Sequence, residues 1–365
     1  MLILFLKTAL LFGVLLTAIA YVVWVERRVL GVMQARLGPN RVGFGILATL
    51  PVVGRLFRFT KETRLFGLGQ PIADGLKLFT KEGIEPAGVD PWTYRLAPIL
   101  GLLPVFLGFA VVPIGPDVPV LGRIVTTQIA DLPVGVIYLL AVGSLGSYSV
   151  VLAGWSSNSK FSFLGGLRAA AQMISYELPM GIAILTVVML TGTLSLREIV
   201  AAQGDIWNLF RFPPFLILAF VISTICAVAE ANRAPFDLPE AESELVGGFH
   251  TEYSGMKFAL FFLAEYAHIF LGGSILAVLF LGGWNIPFIG TLAKVLPVLL
   301  NPWVYWILGV LSFALKVFAY VFFCIWLRAT LPRFRYDQLM NFTWKVLTPL
   351  AAFNLLAVAV LGKLL

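Results

Sequence analysis

The sequence predicts an all-α polytopic membrane protein of eight or nine transmembrane helices, with amphipathic helices on one side of the bilayer. Three observations carry that expectation. The 365 residues are 59% hydrophobic and only 12% charged, with a mean hydropathy of +0.93, whereas a soluble domain carries about 25% charge. Eight windows hold the roughly 20 apolar residues that one helical span requires: 8–25, 96–116, 132–159, 169–196, 212–229, 258–293, 295–327 and 346–362. Those windows are continuous rather than alternating with a period of two, which excludes a β-barrel. With no repeat and no Ser-rich linker, residues 1–365 read as one membrane domain.

The first window reads as a retained helix. Lys7 gives only a weak basic start, the apolar stretch is too long for a signal peptide, and no small-residue cleavage site precedes Glu26, Arg27 and Arg28. Residues 26–95 then form a basic, amphipathic loop. Within it Val52, Val53, Leu56, Phe57 and Phe59 alternate with Arg55, Arg58 and Lys61, a pattern that lies in the headgroup plane rather than crossing it. Asp74 and Lys77 share a helical face beside Ile72, Leu76 and Phe79. Such a segment suits either a plain surface anchor or the mouth of a site for a long, lipid-like substrate.

Two later windows are interrupted by acids. Glu177 stands in SYELPMG, where Pro179 and Gly181 loosen the backbone. Glu265 has His268 three residues on, on the same face. A charge at a helix centre costs about 2.5–3.5 kcal/mol on insertion scales, so such acids face a cavity or a partner. The plainer readings are that Glu177 mends the break at Pro179 and that Glu265 pairs with His268. Lys316 interrupts the seventh window.

Between the fifth and sixth windows lies an acidic loop, 230–257. Glu230, Asp237, Glu240, Glu242, Glu244 and Glu252 fall within 23 residues and are opposed by Arg233 alone. Like charges so close titrate as a coupled group. Phe236, Leu238, Leu245, Val246 and Phe249 are interleaved with them, which a freely hydrated loop would not carry, so the cluster is expected to be partly buried. With Glu177 and Glu265, Glu230 extends this cluster inward. A set of buried acids of that kind is what a proton relay needs.

Counted by side, 19 Lys and Arg lie in 26–95, 155–168, 230–257 and 328–345, against 5 on the opposite side. The asymmetry places the first set in the cytoplasm and both termini outside. The net charge of +7 is then topology and contact with anionic lipid, not a nucleic-acid surface. Cys226 and Cys324 are both mid-span and 98 residues apart, and His250 and His268 are the only imidazoles. That excludes a thiolate cluster or zinc site and a bis-imidazole haem. Gly43, Gly45 and Ala48 match a loose GxGxxA, but no strand precedes them, so dinucleotide binding is rejected. The chain is expected to carry no redox centre and to bind no metal.

Five stretches point further: ERRVLGVMQARLGPNRVG (26–43), QPIADGLKLFTKE (70–82), GWSSNSKFSFLGGLRAAAQMISYE (154–177), AEANRAPFDLPEAESELVGGFHTEYSGMKFALFFLAEY (229–266) and RATLPRFRYDQLMNFTWKVLTPL (328–350). In this order they closely resemble the membrane subunit 1 of respiratory complex I (NADH:quinone oxidoreductase), also called its H subunit, over essentially the whole chain. The chain departs from that family's pattern in the extra residues over 46–68.

The resemblance implies a subunit of a proton-translocating NADH:quinone oxidoreductase in a bacterial inner membrane, with both termini periplasmic. Its cytoplasmic loops would dock the hydrophilic redox arm, whose subunits carry FMN and iron–sulfur clusters, and neighbouring membrane subunits would include antiporter-like ones. Quinone, ubiquinone or menaquinone, is the implied substrate. By motif match, Arg36, Asp74, Phe236, Asp237 and Glu240 would line its chamber. Glu177, Glu230, Glu240, Glu242, Glu244, Glu252 and Glu265 would form an acidic funnel from that chamber, and Arg27, Arg28, Arg333 and Arg335 would meet the redox arm or phospholipid. Part of the fold would resemble the five-helix unit of antiporter-like proteins. The competing readings are the membrane anchor of a related hydrogenase or ferredoxin-dependent complex, and a stand-alone cation or proton transporter.

Overall fold

A computed structural model of the chain describes residues 2–43, 65–120, 123–204, 206–238, 246–287 and 301–361. The chain opens with α1 (Leu2–Met33), α2 (Gln70–Thr80) and α3 (Pro91–Val111), then makes a short antiparallel pair, β1 (Val118–Val120) and β2 (Arg123–Val125). There follow α4 (Gly135–Gly143), α5 (Leu145–Ser156), α6 (Lys160–Thr191), the short α7 (Leu196–Ala202) and α8 (Asn208–Arg211), and α9 (Phe215–Glu230). The last three are α10 (Gly255–Phe280), α11 (Pro302–Thr330) and α12 (Tyr336–Leu361), the last interrupted by a π-helical turn at Thr343–Leu347.

Among the described residues seven segments are long and apolar enough to cross a membrane: α1, α3, α4 with α5, α6, α10, α11 and α12. The eighth window is α9, apolar but only 16 residues long. The protein is thus all-α and polytopic, as the windows predict. Helix ends follow local chemistry. Asp90 caps α3 by accepting from Trp92 N, with Pro91 in the first turn, and Asn301 and Pro302 do the same for α11.

Two windows resolve differently from one continuous span. Window 132–159 breaks at Ser144 into α4 and α5. Window 258–293 stops being helical after Phe280, because Gly282 and Gly283 take φ of 72° and 55°, a left-handed bend open to glycine.

Helix α10 lies at the centre, packed on α3, α9 and α11, while α5 fits between α3 and α6, and α6 packs on α9 and α12. Small residues set the α5–α6 approach: a Cβ on Gly154 would come within 2.6 Å of the Ser162 carbonyl oxygen. Helix α2 buries no residue within the chain, the behaviour expected of its amphipathic sequence at an interface. The segment Val52–Lys61 lies outside the described residues.

Candidate functional site: an acid-lined pair of cavities

Cavities adjoin the turn at Ser144 between α4 and α5. A cavity of about 380 Å³ opens between α4, α6, α9 and α10, and its polar lining includes Ser144, Glu177, Ser223, Glu230 and His268. A smaller one of about 60 Å³ is lined by Glu230, Asn232, His250, Glu265 and His268 among others. Glu230 and His268 belong to both, so the two spaces share a wall. Glycines hold it open: a Cβ on Gly143 would lie 3.3 Å from Glu230 Oε1, and one on Gly146 would lie 3.5 Å from His268 Nε2. Glu177 Oε1 and Ser223 Oγ are buried without a hydrogen-bond partner among the described residues, a state that buried polar atoms resolve with water. Glu177, Glu230 and Glu265, separated by up to 88 positions in sequence, therefore line two adjoining cavities that have Glu230 and His268 in common.

Glu265 does more than line a wall. The base that stands alone among the loop acids, Arg233, is itself buried and places Nε 2.5 Å from Glu265 Oε1 and Nη1 3.2 Å from Glu26 Oε1. Its guanidinium centre lies 4.0 Å above the Tyr266 ring, and the Tyr266 hydroxyl donates to Glu26 Oε2 at 2.7 Å. Arg328 from α11 also binds Glu26. Two guanidiniums and two carboxylates thus balance beside the smaller cavity. A buried charge demands such pairing, and Arg233 is the partner that the His268 spacing does not reveal. Glu26 and Arg328 escape sequence reasoning too. The signal was an acid directly after an uncharged window, followed at once by two arginines.

The chamber candidates form two groups joined by α1. Arg27 donates to Asp74 at 2.7 Å and Gln70 to the same carboxylate at 2.9 Å, so successive residues of α1 reach α2 and the Glu26 hub. Arg36 is exposed, after Ala35 at φ 54°. On the other side Phe236 is buried, with ring centroids 5.6 Å from Tyr176 and 5.7 Å from Phe334, and Gln172 donates to its carbonyl at 2.7 Å. Arg333 donates to Asp237 at 2.8 Å. Arg27 and Arg333 are therefore engaged within the chain. Glu240, Glu242 and Glu244 lie outside the described residues.

The far end of the acidic loop is stapled down. The Glu252 carbonyl accepts from the Tyr94 hydroxyl at 2.7 Å and Ser254 Oγ from Ile84 N at 2.9 Å. Glu85 takes a bidentate contact from Arg95, 3.1 Å on each oxygen, and a further one from Lys257. Hydrogen bonds from these two cations hold the Glu85 carboxyl at about 2, well below its ordinary range. Burial pushes the His250 imidazole down to about 4, against a weaker opposing pull from Asp237. The two cysteines are free and buried, and no group of three potential metal ligands converges among the described residues.

A family profile described as NADH dehydrogenase matches residues 6–359. The chain belongs to this family. A protein of Geobacter sulfurreducens, named as the second H subunit of NADH-quinone oxidoreductase in that organism, is 48% identical over 350 residues, covering 96% of this chain and 93% of its own length. The H subunit of Protochlamydia amoebophila is 48% identical over 94% of this chain and 92% of its own. The second H subunit of Koribacter versatilis is 47% identical over 97% and 95%. The family assignment therefore extends over nearly the whole fold, including both cavities and the Glu26 hub.

Proposed function

We propose that the chain is the quinone-facing coupling subunit of a proton-translocating NADH:quinone oxidoreductase, in which buried carboxylates answer the chemistry of the quinone. The observation that carries this reading is the shared wall: Glu230 and His268 border both the cavity beside Glu265 and the cavity holding Glu177. The near-complete match to relatives named as H subunits of NADH-quinone oxidoreductase supports the enzyme assignment.

Quinone is the substrate, and the redox groups reside in docked hydrophilic subunits on the basic side. Two electrons arriving from that arm, with two protons, convert quinone to quinol. Phe236, with Tyr176 and Phe334 around it, offers an aromatic wall for the substrate, and Asp237 and Asp74 carry the fixed charge near it. Uptake of two protons alters the charge felt by the loop acids, among them Glu240, Glu242, Glu244 and Glu252. Groups that interact this strongly retitrate together. Glu230 passes that change inward, and Glu177 and Glu265 adjust to it. Energy then moves to neighbouring, antiporter-like membrane subunits. The membrane is a bacterial inner membrane, and both termini face the periplasm.

Photolabelling of the intact complex with an azido-quinone tests the chamber, with adducts mapped by mass spectrometry. Adducts at Arg36, Asp74 or 236–240 are expected, and labelling confined to other subunits refutes the chamber. Glu177→Gln, Glu230→Gln and Glu265→Gln variants test the relay separately. Assembled variants that reduce quinone and pump at the unmodified rate would sink it.

A further inference from the structure

We propose that Lys316 is a fixed positive charge that closes the acid-lined cavities toward the face opposite the acidic loop, so that protons on Glu177 and Glu230 do not leak there. The inference rests on the relay reading above.

After Phe280 the backbone of α10 unwinds through Gly282 and Gly283, yet this segment lies against the middle of α11. Lys316 is 14 residues beyond Pro302, roughly 21 Å along the helix axis. Non-helical backbone at such a depth must be satisfied by the protein itself. Lys316 Nζ donates to the carbonyls of Gly283 and Asn285, both at 2.8 Å, and sits 4.7 Å from the centre of the Trp207 ring.

Neutral amides complete the plug. Gln203 Nε2 donates to the Val278 carbonyl at 2.8 Å, while its Oε1 accepts from Asn208 N and Gly282 N at 3.0 and 2.9 Å. Asn208 Nδ2 donates to the Leu279 carbonyl and Asn285 Nδ2 to that of Val200, each at 2.8 Å. Leu196, Leu276 and Leu279 line the larger cavity, so the plug begins where that cavity's apolar end stops.

Carbonyl capping alone does not account for an ammonium here, since amides do that work at the neighbouring carbonyls of Val278, Leu279 and Val200. Among the described residues Lys316 makes no ion pair, and the contacts given to its ammonium are the two carbonyls and the Trp207 ring. A cation beside hydrogen-bonded polar groups repels hydronium and interrupts a water wire, as charged constrictions do in channels. The charge is therefore the functional part of the side chain.

The test is passive proton permeability of the intact complex in liposomes, without NADH, driven by a potassium diffusion potential and read with an entrapped pH dye. Lys316→Gln keeps hydrogen-bond donors and removes the charge, and a severalfold faster leak is expected. Lys316→Arg is expected to stay tight, and Lys316→Gln combined with Glu230→Gln to regain tightness because the leak runs through the cavity acids. A Lys316→Gln complex as tight as the unmodified one overturns the proposal, as does a leak that Glu230→Gln leaves untouched. If Lys316→Gln does not assemble, Lys316→Met carries the test: a severalfold faster leak than in Lys316→Arg is expected, and a Lys316→Met complex as tight as Lys316→Arg overturns the proposal. Turnover is not the readout, so failure of the relay itself, seen as pumping by Glu230→Gln, is recorded independently.

Discussion

Removal of the Arg233 guanidinium is the sharpest perturbation the structure offers. Arg233→Met keeps an apolar stem of similar reach and deletes a charge that lies 2.5 Å from Glu265 and 3.2 Å from Glu26. At an effective dielectric constant of ~20, contacts at those distances carry about 5–7 kcal/mol of Coulomb energy each. Desolvation offsets much of this, and removal of one partner from a buried pair has a net cost of about 3–5 kcal/mol. Glu26 retains Arg328 and the Tyr266 hydroxyl, so Glu265 bears most of the loss. A local reporter stands beside the site: Cys324 is a buried free thiol that lines the same small pocket as Glu26, Arg233 and Arg328. Maleimide labelling of Cys324 in the intact complex, quantified by mass spectrometry, then reads local opening. The opening equilibrium should rise by roughly two to four powers of ten. Adding Glu265→Gln should recover most of the protection, because a neutral amide no longer needs the guanidinium. Labelling unchanged in Arg233→Met, or faster still in the double variant, would refute the argument that paired burial holds this junction together.

The remaining predictions concern acid and space. His250 in the folded chain titrates at about 4, below the roughly 6.5 of an exposed imidazole. The unfolded chain therefore takes its proton first. This contribution to stability is complete above about pH 6.5 and is lost as pH falls toward 4, by up to about 3 kcal/mol. Urea titrations of the solubilised complex between pH 7 and pH 5 should show that loss, and His250→Gln should flatten it. Gly143 bears on the proposed relay directly, since a Cβ there would meet Glu230 Oε1 at 3.3 Å. Gly143→Ala should keep most NADH:quinone turnover, whereas Gly143→Leu should displace the carboxylate and reduce turnover on the order of tenfold to a hundredfold. Equal turnover in the two would show that Glu230 has room to spare.

Much of the fold was legible because a bilayer makes composition nearly decisive: an apolar run long enough to span has few other places to go. The eight windows correspond to seven long helices and the shorter α9. What hydropathy could not mark were the breaks, since Ser144 and the pair Gly282–Gly283 hardly alter the mean over a window. The acids within spans were equally legible, because each carries a visible insertion cost. Their partners were not. Arg233 lies 32 positions from Glu265 and 207 from Glu26 in the chain, and a helical wheel reports only neighbours within a turn or two. The wheel therefore offered His268 to Glu265, while the fold supplied Arg233.

That difference changes how the three buried acids divide the work. Glu265 is held by a guanidinium that another carboxylate and a tyrosine ring also fix in place, so its charge is anchored and contributes a steady field to the smaller cavity. Glu230 and Glu177 make no ion pair among the described residues, and both face the larger cavity. Glu230 is the last residue of α9, where the helix runs out of backbone partners, and Glu177 stands two residues before Pro179, which removes a donor from α6. Both acids thus sit where water has reason to enter. A carboxylate that exchanges protons must be reachable by water and free of a permanent counter-ion; Glu230 and Glu177 line a cavity of about 380 Å³ and make no ion pair among the described residues. Glu265 lines the smaller cavity but is paired with Arg233, so its part in the proposed relay is coupled to that guanidinium. In the proposed relay, then, one acid is paired with a guanidinium and two are not, and Glu230 stands between Glu177 and Glu265 because it borders both spaces.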